Sequence, residues 1–134
     1  MTGAAPSTTT VEGLLAEARS RLRRLEPAGA LAATRLGGLI VDIRSERQRA
    51  EQGLVPGARF VPRNVLEWRL DRCCEHHDPT LVAVRGPLVL MCAQGYQSSL
   101  AAATLQRIGV ANATDMVGGF EAWRAAGLPV RRMP

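Results

Sequence analysis

The stretch that decides the fold is Val89-Leu-Met-Cys-Ala-Gln-Gly-Tyr-Gln-Ser-Ser-Leu-Ala-Ala-Ala-Thr-Leu105. Its apolar start is typical of a buried strand over Leu88 to Met91, and its alanine-rich end predicts a helix from Ser98 to Ile108. Between them lie one cysteine, Cys92, and a short loop. A strand, a tight loop and a helix in this order are how α/β proteins present anion sites and nucleophiles. The stretch therefore predicts an α/β fold with a candidate site at Cys92.

The loop after Cys92 has the composition of an anion cradle. Its N–H groups have no intrahelical partner, and the positive end of the helix dipole adds to their field. Such a field favours the thiolate form of a cysteine. Gly95 allows a backbone conformation that other residues avoid, and Ser98 can cap the helix. The predicted substrate-binding residues of the loop are Ala93, Gln94, Gly95, Tyr96, Gln97 and Ser98. The alternative is that Cys92 is simply a small buried apolar residue.

Length and composition indicate one globular domain. The chain has 134 residues, of which 46% are hydrophobic, so it is long and apolar enough to form a core. No apolar run approaches the roughly 20 residues that span a bilayer. The start of the chain does not resemble a signal peptide, so we expect a cytoplasmic protein without a membrane partner.

The three cysteines do not predict disulfides or a metal site. Cys73 and Cys74 are adjacent, and the total is odd, which argues against a disulfide framework. The run Cys73-Cys74-Glu75-His76-His77-Asp78 contains metal-ligand residue types, but it lacks the usual zinc spacing. We expect a polar surface loop there and no metal.

The net charge is +5, and all 17 basic residues are arginine. Most arginines are spread along the chain, and the one cluster (Arg19, Arg21, Arg23 and Arg24) falls on one predicted helix. Aromatic residues make up only 4%, so there is no platform on which bases could stack. We therefore expect no nucleic-acid partner, whereas a basic rim suits a small anionic substrate.

The rest of the chain divides into three parts. Residues 1–10 are predicted to be a disordered tail, and residues 11–35 a helical segment. In the latter, apolar residues at helical spacing predict one helix that starts near Val11 and is ended by Pro27. Residues 36–131 alternate strands and helices, beginning with the continuous apolar run Leu39 to Ile43. This order predicts a three-layer α/β domain, with a mainly parallel sheet of about five strands flanked by helices.

Three separate motifs resemble those of single-domain rhodaneses, which are sulfurtransferases. They are Val41-Asp42-Ile43-Arg44 with Gly53-Leu54-Val55-Pro56-Gly57-Ala58, the loop from Cys92 to Ser99, and Val117-Gly118-Gly119-Phe120-Glu121-Ala122-Trp123 with Gly127-Leu128-Pro129-Val130. Together they cover roughly residues 36 to 131. Their order and spacing make the resemblance much more specific than one motif alone.

The resemblance implies transfer of a sulfane sulfur through a persulfide on Cys92. The donor would be a small anion such as thiosulfate, and the acceptor cyanide or a thiol, including a protein thiol. It implies that Arg69 could contact substrate and that Asp42 and Arg44 form a structural ion pair near the site. No cofactor is implied, and both a monomer and a homodimer stay open.

Two alternatives to a sulfurtransferase are considered. Cdc25-type phosphatases and related arsenate reductases resemble rhodaneses but follow Cys-x5-Arg, in which the arginine clamps phosphate. Counted from Cys92, that position is Ser98. The other alternative is a non-catalytic or partner-dependent sulfur carrier or regulatory module. Many rhodaneses also carry arginine where this chain has Gln97, which bears on turnover of thiosulfate.

Overall fold

The computed structural model describes residues 8–134, which alternate helices and strands. Seven helices lie in that range: α1 Val11–Ser20, α2 Pro27–Thr34, α3 Glu46–Gln52, α4 Leu66–Leu70, α5 Pro79–Val82, α6 Gln97–Arg107 and α7 Gly119–Ala125. The four strands are β1 Leu39–Asp42, β2 Arg59–Phe60, β3 Leu88–Met91 and β4 Ala113–Asp115, and a 3₁₀ turn at Arg63–Val65 precedes α4. The predicted disorder of residues 1–10 falls mainly on residues 1–7, outside the described residues.

The four strands form one parallel sheet in the order β2-β1-β3-β4. All four residues of β3 are buried, as expected of a central parallel strand covered on both faces. The predicted α/β fold with a parallel sheet is therefore confirmed, with four strands in place of about five. A single parallel bridge between Leu25 and Met116 adds the N-terminal segment beside the end of β4.

Two apolar clusters cover opposite faces of the sheet and produce the three layers. Successive strand residues point to opposite faces, so Leu88 and Leu90 enter one cluster while Val89 and Met91 enter the other. The first cluster packs residues of α4, α5 and α6 on the sheet, and the second packs residues of α2 and α7. No helix within residues 8–134 is long and apolar enough to cross a membrane.

The N-terminal helix is shorter than its apolar spacing predicts. It ends at Ser20 and not near Pro27, because the following residues leave the helix to pair with β4. The Leu25 N–H donates to the Asp115 carbonyl at 3.0 Å, and the Val117 N–H donates to the Leu25 carbonyl at 2.9 Å. This tertiary pairing overrides the local helical pattern.

Asp78 provides a stability test away from the site. Its carboxylate caps α5 by accepting from the Thr80 and Leu81 N–H groups, and it pairs with Arg59. The hydrogen bond from the Thr80 hydroxyl, helped by the Thr80 N–H and the Arg59 charge, lowers the pKa of Asp78 against a smaller opposing effect of burial. We expect Asp78→Ala to lower the free energy of unfolding by about 1 kcal/mol at neutral pH. Urea unfolding measures the loss.

The pH dependence of that loss follows from the lowered pKa. A carboxyl group with a folded-state pKa below its unfolded value contributes stability that is fully present above the unfolded pKa. The contribution is lost as the pH falls through the folded pKa, so the difference between wild type and Asp78→Ala should shrink in acid. Glu75→Ala, at an exposed site, is the control and should stay within about 0.5 kcal/mol of wild type. A difference that is undiminished in acid would contradict the prediction.

Candidate active site

Cys92 directly follows β3, at the carboxyl end of the most buried strand. Its side chain is buried, and its Sγ accepts a hydrogen bond from the Gly95 N–H at 3.1 Å. The Sγ also lies 3.3 Å from the Ser98 Oγ, to which the thiol donates. The loop therefore curls around the sulfur, which has one backbone donor and one hydroxyl as its neighbours.

The loop leaves several N–H groups available to an anion. Within residues 8–134, no acceptor receives the N–H groups of Ala93, Gln94 and Tyr96. Those of Gln97 and Ser98 open α6, where a helix has no intrahelical acceptor. The side chains of Gln94, Tyr96 and Gln97 are exposed around the loop. This arrangement can stabilise negative charge that develops on sulfur.

Ser98 has a different place from the predicted cap. The residue that precedes α6 is Tyr96, which makes no side-chain capping bond, and Ser98 is the second residue of the helix. The Ser98 hydroxyl donates to the Asp115 Oδ2 at 2.8 Å. Ser98 is fully buried, so its hydroxyl bonds inward and does not cap the exposed start of the helix.

Asp115, at the end of β4, is the buried carboxylate behind the thiol. It accepts from the Ser98 and Ser99 hydroxyls at 2.8 and 2.7 Å. Arg24 donates to its two oxygens from Nε at 2.8 Å and from Nη2 at 3.2 Å. A hydrogen-bonded chain thus runs from Cys92 through Ser98 and Asp115 to Arg24. The sequence reasoning missed Asp115, since nothing local distinguishes it from any strand-end acid.

Two arginines of the N-terminal segment also hold the loop. The Gly95 carbonyl accepts from Arg19 Nη2 at 2.8 Å and from Arg24 Nη2 at 3.0 Å. Arg19 donates in addition to the Ser99 Oγ at 3.1 Å. In the sequence these arginines were only members of a basic cluster. Their place at the site depends on how the segment packs, so sequence spacing gave no signal for it.

The Gly118-Gly119 pair lets the start of α7 approach the backbone of Cys92 and Ala93. The N–H groups of Phe120 and Glu121 donate to the carbonyls of Cys92 and Ala93 at 2.8 and 3.0 Å. A Cβ at Gly119 would lie 2.4 Å from the Cys92 carbonyl oxygen, and the residue has φ +60°. Only glycine allows this approach, so the third sequence motif directly fixes the position of the first loop residues.

Asp42 and Arg44 form a buried ion pair at the end of β1, the strand next to β3. Arg44 donates from Nη2 and Nε to the two carboxylate oxygens at 2.8 and 3.0 Å, and from Nη2 to the Gly53 carbonyl. Arg49 Nε approaches Asp42 to 3.3 Å, close enough for attraction although its geometry makes no hydrogen bond. These bonds connect β1 to the end of α3, and a structural role for the pair stays a prediction.

Arg69 lies on α4, and its role in substrate binding stays a prediction. Its Nη1 donates to the His76 carbonyl at 3.1 Å. The side chain of the neighbouring Trp68 is 54% exposed. Both residues line a shallow cavity with Asn64, Val65 and His76.

The other two cysteines lie in the connection between α4 and α5. Cys73 is exposed and Cys74 is half-buried, and both are free thiols. Within residues 8–134, no group of three or more His, Cys, Asp or Glu side chains could hold a metal ion. Among the three cysteines, Cys92 is therefore the one whose side chain is buried.

Comparison with known proteins identifies the family. The family model for the rhodanese-like domain matches residues 25–126. Thiosulfate sulfurtransferase GlpE of Ectopseudomonas mendocina is 32% identical over 106 residues, which are 79% of this chain and 88% of the relative. A sulfurtransferase of Allochromatium vinosum is 30% identical over 92 residues, which are 69% of this chain and 77% of the relative.

A solved structure from Rhodopseudomonas palustris is similar over nearly the whole chain. It is described as a protein of unknown function and possible tyrosine phosphatase. At 33% identity it aligns with a TM-score of 0.84 and covers 97% of this chain and 100% of that one. The family match and the sulfurtransferase relatives show that the chain belongs to the rhodanese-like domain family.

Proposed function

We propose that the protein is a sulfurtransferase that carries a sulfane sulfur as a persulfide on Cys92. The donor is a small anion such as thiosulfate, and the acceptor is cyanide or a thiol, including a protein thiol. The observation that carries the proposal is the bond from the Gly95 N–H to the Cys92 Sγ, in a loop whose other N–H groups lack acceptors within residues 8–134. A ring of N–H donors stabilises the negative charge of a persulfide, which is why this loop supports the proposal.

The chemistry consists of two displacements at sulfur. The Cys92 thiolate attacks the outer sulfur of thiosulfate, the donor's sulfur–sulfur bond breaks, and sulfite leaves with the bonding electrons. Cyanide or a thiolate then attacks the outer sulfur of the Cys92 persulfide. The sulfur leaves on the acceptor, as thiocyanate or a new persulfide, and the Cys92 thiolate is regenerated. The loop N–H groups stabilise the negative sulfur at both stages.

The Ser98 hydroxyl can change its hydrogen bonds as the charge on the sulfur changes. In the structure its hydroxyl proton is donated to Asp115, so its oxygen can accept from the neutral thiol. When the sulfur is anionic, the same hydroxyl can turn its proton to the sulfur. Asp115 then keeps its bonds from Ser99 and Arg24, so no buried carboxylate is left unpaired.

A phosphatase has less support, although the Rhodopseudomonas palustris protein is described as a possible one. The phosphate-clamping arginine of Cys-x5-Arg would occupy position 98, where this chain has a buried serine bonded to Asp115. A guanidinium at this position would give phosphate two parallel N–H donors and a positive charge. A serine hydroxyl provides neither the charge nor the pair of donors.

The direct test is the mass of the intact protein after incubation with thiosulfate. We expect a gain of one sulfur atom, located on Cys92 by peptide mapping and released by cyanide as thiocyanate. The variant Cys73→Ser/Cys74→Ser is the matched control and should gain the same sulfur. Sulfur found only on Cys73 or Cys74 would contradict the proposal. An unchanged mass would favour a different donor, such as mercaptopyruvate, or the partner-dependent carrier.

A further inference from the structure

We infer that Arg19 and Arg24 are positioning residues for the Cys92 loop. Both precede residues 25–126, the part of the chain that the family model matches. The residues in front of the matched domain therefore belong to the machinery of the site. The expected effect on sulfur transfer rests on the proposed function. The effect of the two arginines on the conformation of the loop does not depend on that function.

The first part of the argument is the orientation of one peptide group. The Gly95 carbonyl accepts from both guanidinium groups, at 2.8 and 3.0 Å. In a trans peptide the N–H of the next residue points away from that carbonyl, and no cis peptide occurs among the described residues. Holding the carbonyl against the arginines therefore turns the Tyr96 N–H to the other side, where no acceptor of residues 8–134 receives it.

Gly95 is the loop residue at which such control is needed. It has φ +86° and no side chain, so no Cβ of its own restricts the orientation of the adjoining peptide. A rotated peptide would present a carbonyl oxygen where the N–H now lies. That oxygen would repel an anionic persulfide. Charge-assisted bonds from two arginines oppose the rotation more strongly than neutral donors could.

The second part of the argument is the charge of Asp115. This carboxylate is fully buried and lies two hydrogen bonds from the Cys92 sulfur, by way of Ser98. An uncompensated negative charge so close would oppose an anionic sulfur. Arg24 pairs with both oxygens and is itself only 16% exposed, and so it cancels that charge. Arg19 adds a second cation through Ser99.

The backbone around these arginines is held in place from both sides. Leu25 pairs with Met116 beside β4, and the Thr114 hydroxyl donates to the Arg23 carbonyl at 2.9 Å. The Arg19 guanidinium lies 5.7 Å from the centre of the Tyr96 ring, at the loop itself. The N-terminal segment thus connects the end of β4 to the active-site loop through these contacts.

The test compares Arg24→Gln and Arg19→Gln with Arg23→Gln. Arg23 is the matched control, because it is exposed, adjacent in sequence and forms no side-chain hydrogen bond or ion pair within residues 8–134. Sulfur uptake from thiosulfate is followed by rapid quenching and mass spectrometry over a range of thiosulfate concentrations. This yields a limiting rate and a half-saturating concentration for each variant, and thermal unfolding shows that each is folded.

We expect the limiting rate to fall about 10-fold to 100-fold in Arg24→Gln and about 10-fold in Arg19→Gln. The half-saturating concentration should stay within about 3-fold, because both arginines act on the loop and not on the donor. Partial unfolding would instead lower the amount of sulfur taken up without slowing the folded fraction. A limiting rate equal to that of Arg23→Gln would overturn the inference.

Two further measurements test the inference if a variant does not fold or if the wild type takes up no sulfur. If Arg24→Gln does not fold, Arg19→Gln decides, since it leaves the pair between Arg24 and Asp115 intact. If wild type takes no sulfur from any donor, the proposed function fails, and the inference is tested by the rate at which Cys92 reacts with iodoacetamide in the Cys73→Ser/Cys74→Ser background. Slower reaction of the Arg19 and Arg24 variants than of the control would support it, and equal rates would overturn it.

Discussion

Replacing Cys92 by serine is expected to abolish sulfur transfer while leaving the protein folded. A serine hydroxyl stays protonated near neutral pH, and it cannot form the sulfur–sulfur bond of a persulfide. The substitution is small, and a serine oxygen can still accept from the Gly95 N–H and donate to Ser98, the two partners that Sγ has now. We therefore expect a loss of stability of only about 1 kcal/mol.

The rate of thiocyanate formation from thiosulfate and cyanide measures the effect. Cys92→Ser should reduce it to the rate without protein, and Cys74→Ser should leave it at the wild-type value. Cys74 is the suitable control because it is the partly buried member of the other pair of free thiols. Thiocyanate formation that survives in Cys92→Ser would place the reactive sulfur elsewhere and would refute the proposed mechanism.

Asp42→Ala is expected to cost about 3–5 kcal/mol of unfolding free energy, the largest effect on stability that we predict. Removing the carboxylate leaves the Arg44 guanidinium, whose side chain is 0% exposed, without its bidentate partner. Arg44 would keep its bonds to the Gly53 carbonyl and to Gln52, and its place over the Phe120 ring at 4.1 Å. None of these groups carries a compensating charge.

Urea unfolding of Asp42→Ala tests this expectation against Glu51→Ala. Glu51 pairs with Arg47 on the surface of α3, with both side chains more than half exposed, and its loss should cost at most about 1 kcal/mol. The double variant Asp42→Ala/Arg44→Met should recover part of the stability, because no buried charge remains unpaired. If Asp42→Ala proved stable but inactive, the pair would have a catalytic and not a structural role.

The sequence by itself determined the elements around Cys92. The strand Leu88–Met91 has the predicted bounds, and the helix begins at Gln97, one residue before the predicted start. A capping box of Ser45 and Gln48, which is visible in the sequence, fixes the start of helix α3. These elements were predictable because apolar runs, caps and glycines act over a few residues of chain.

Only the tertiary structure decided which residues from distant parts of the chain lie near the sulfur. Arg24 is 71 residues from Gly95 and 91 residues from Asp115 along the chain, yet it bonds to both. The same packing ended α1 at Ser20, although the apolar spacing predicted a helix that continued until Pro27. Local patterns report the conformation that a segment prefers alone, whereas the bridge between Leu25 and Met116 stabilises a different conformation through contacts that only the folded chain makes.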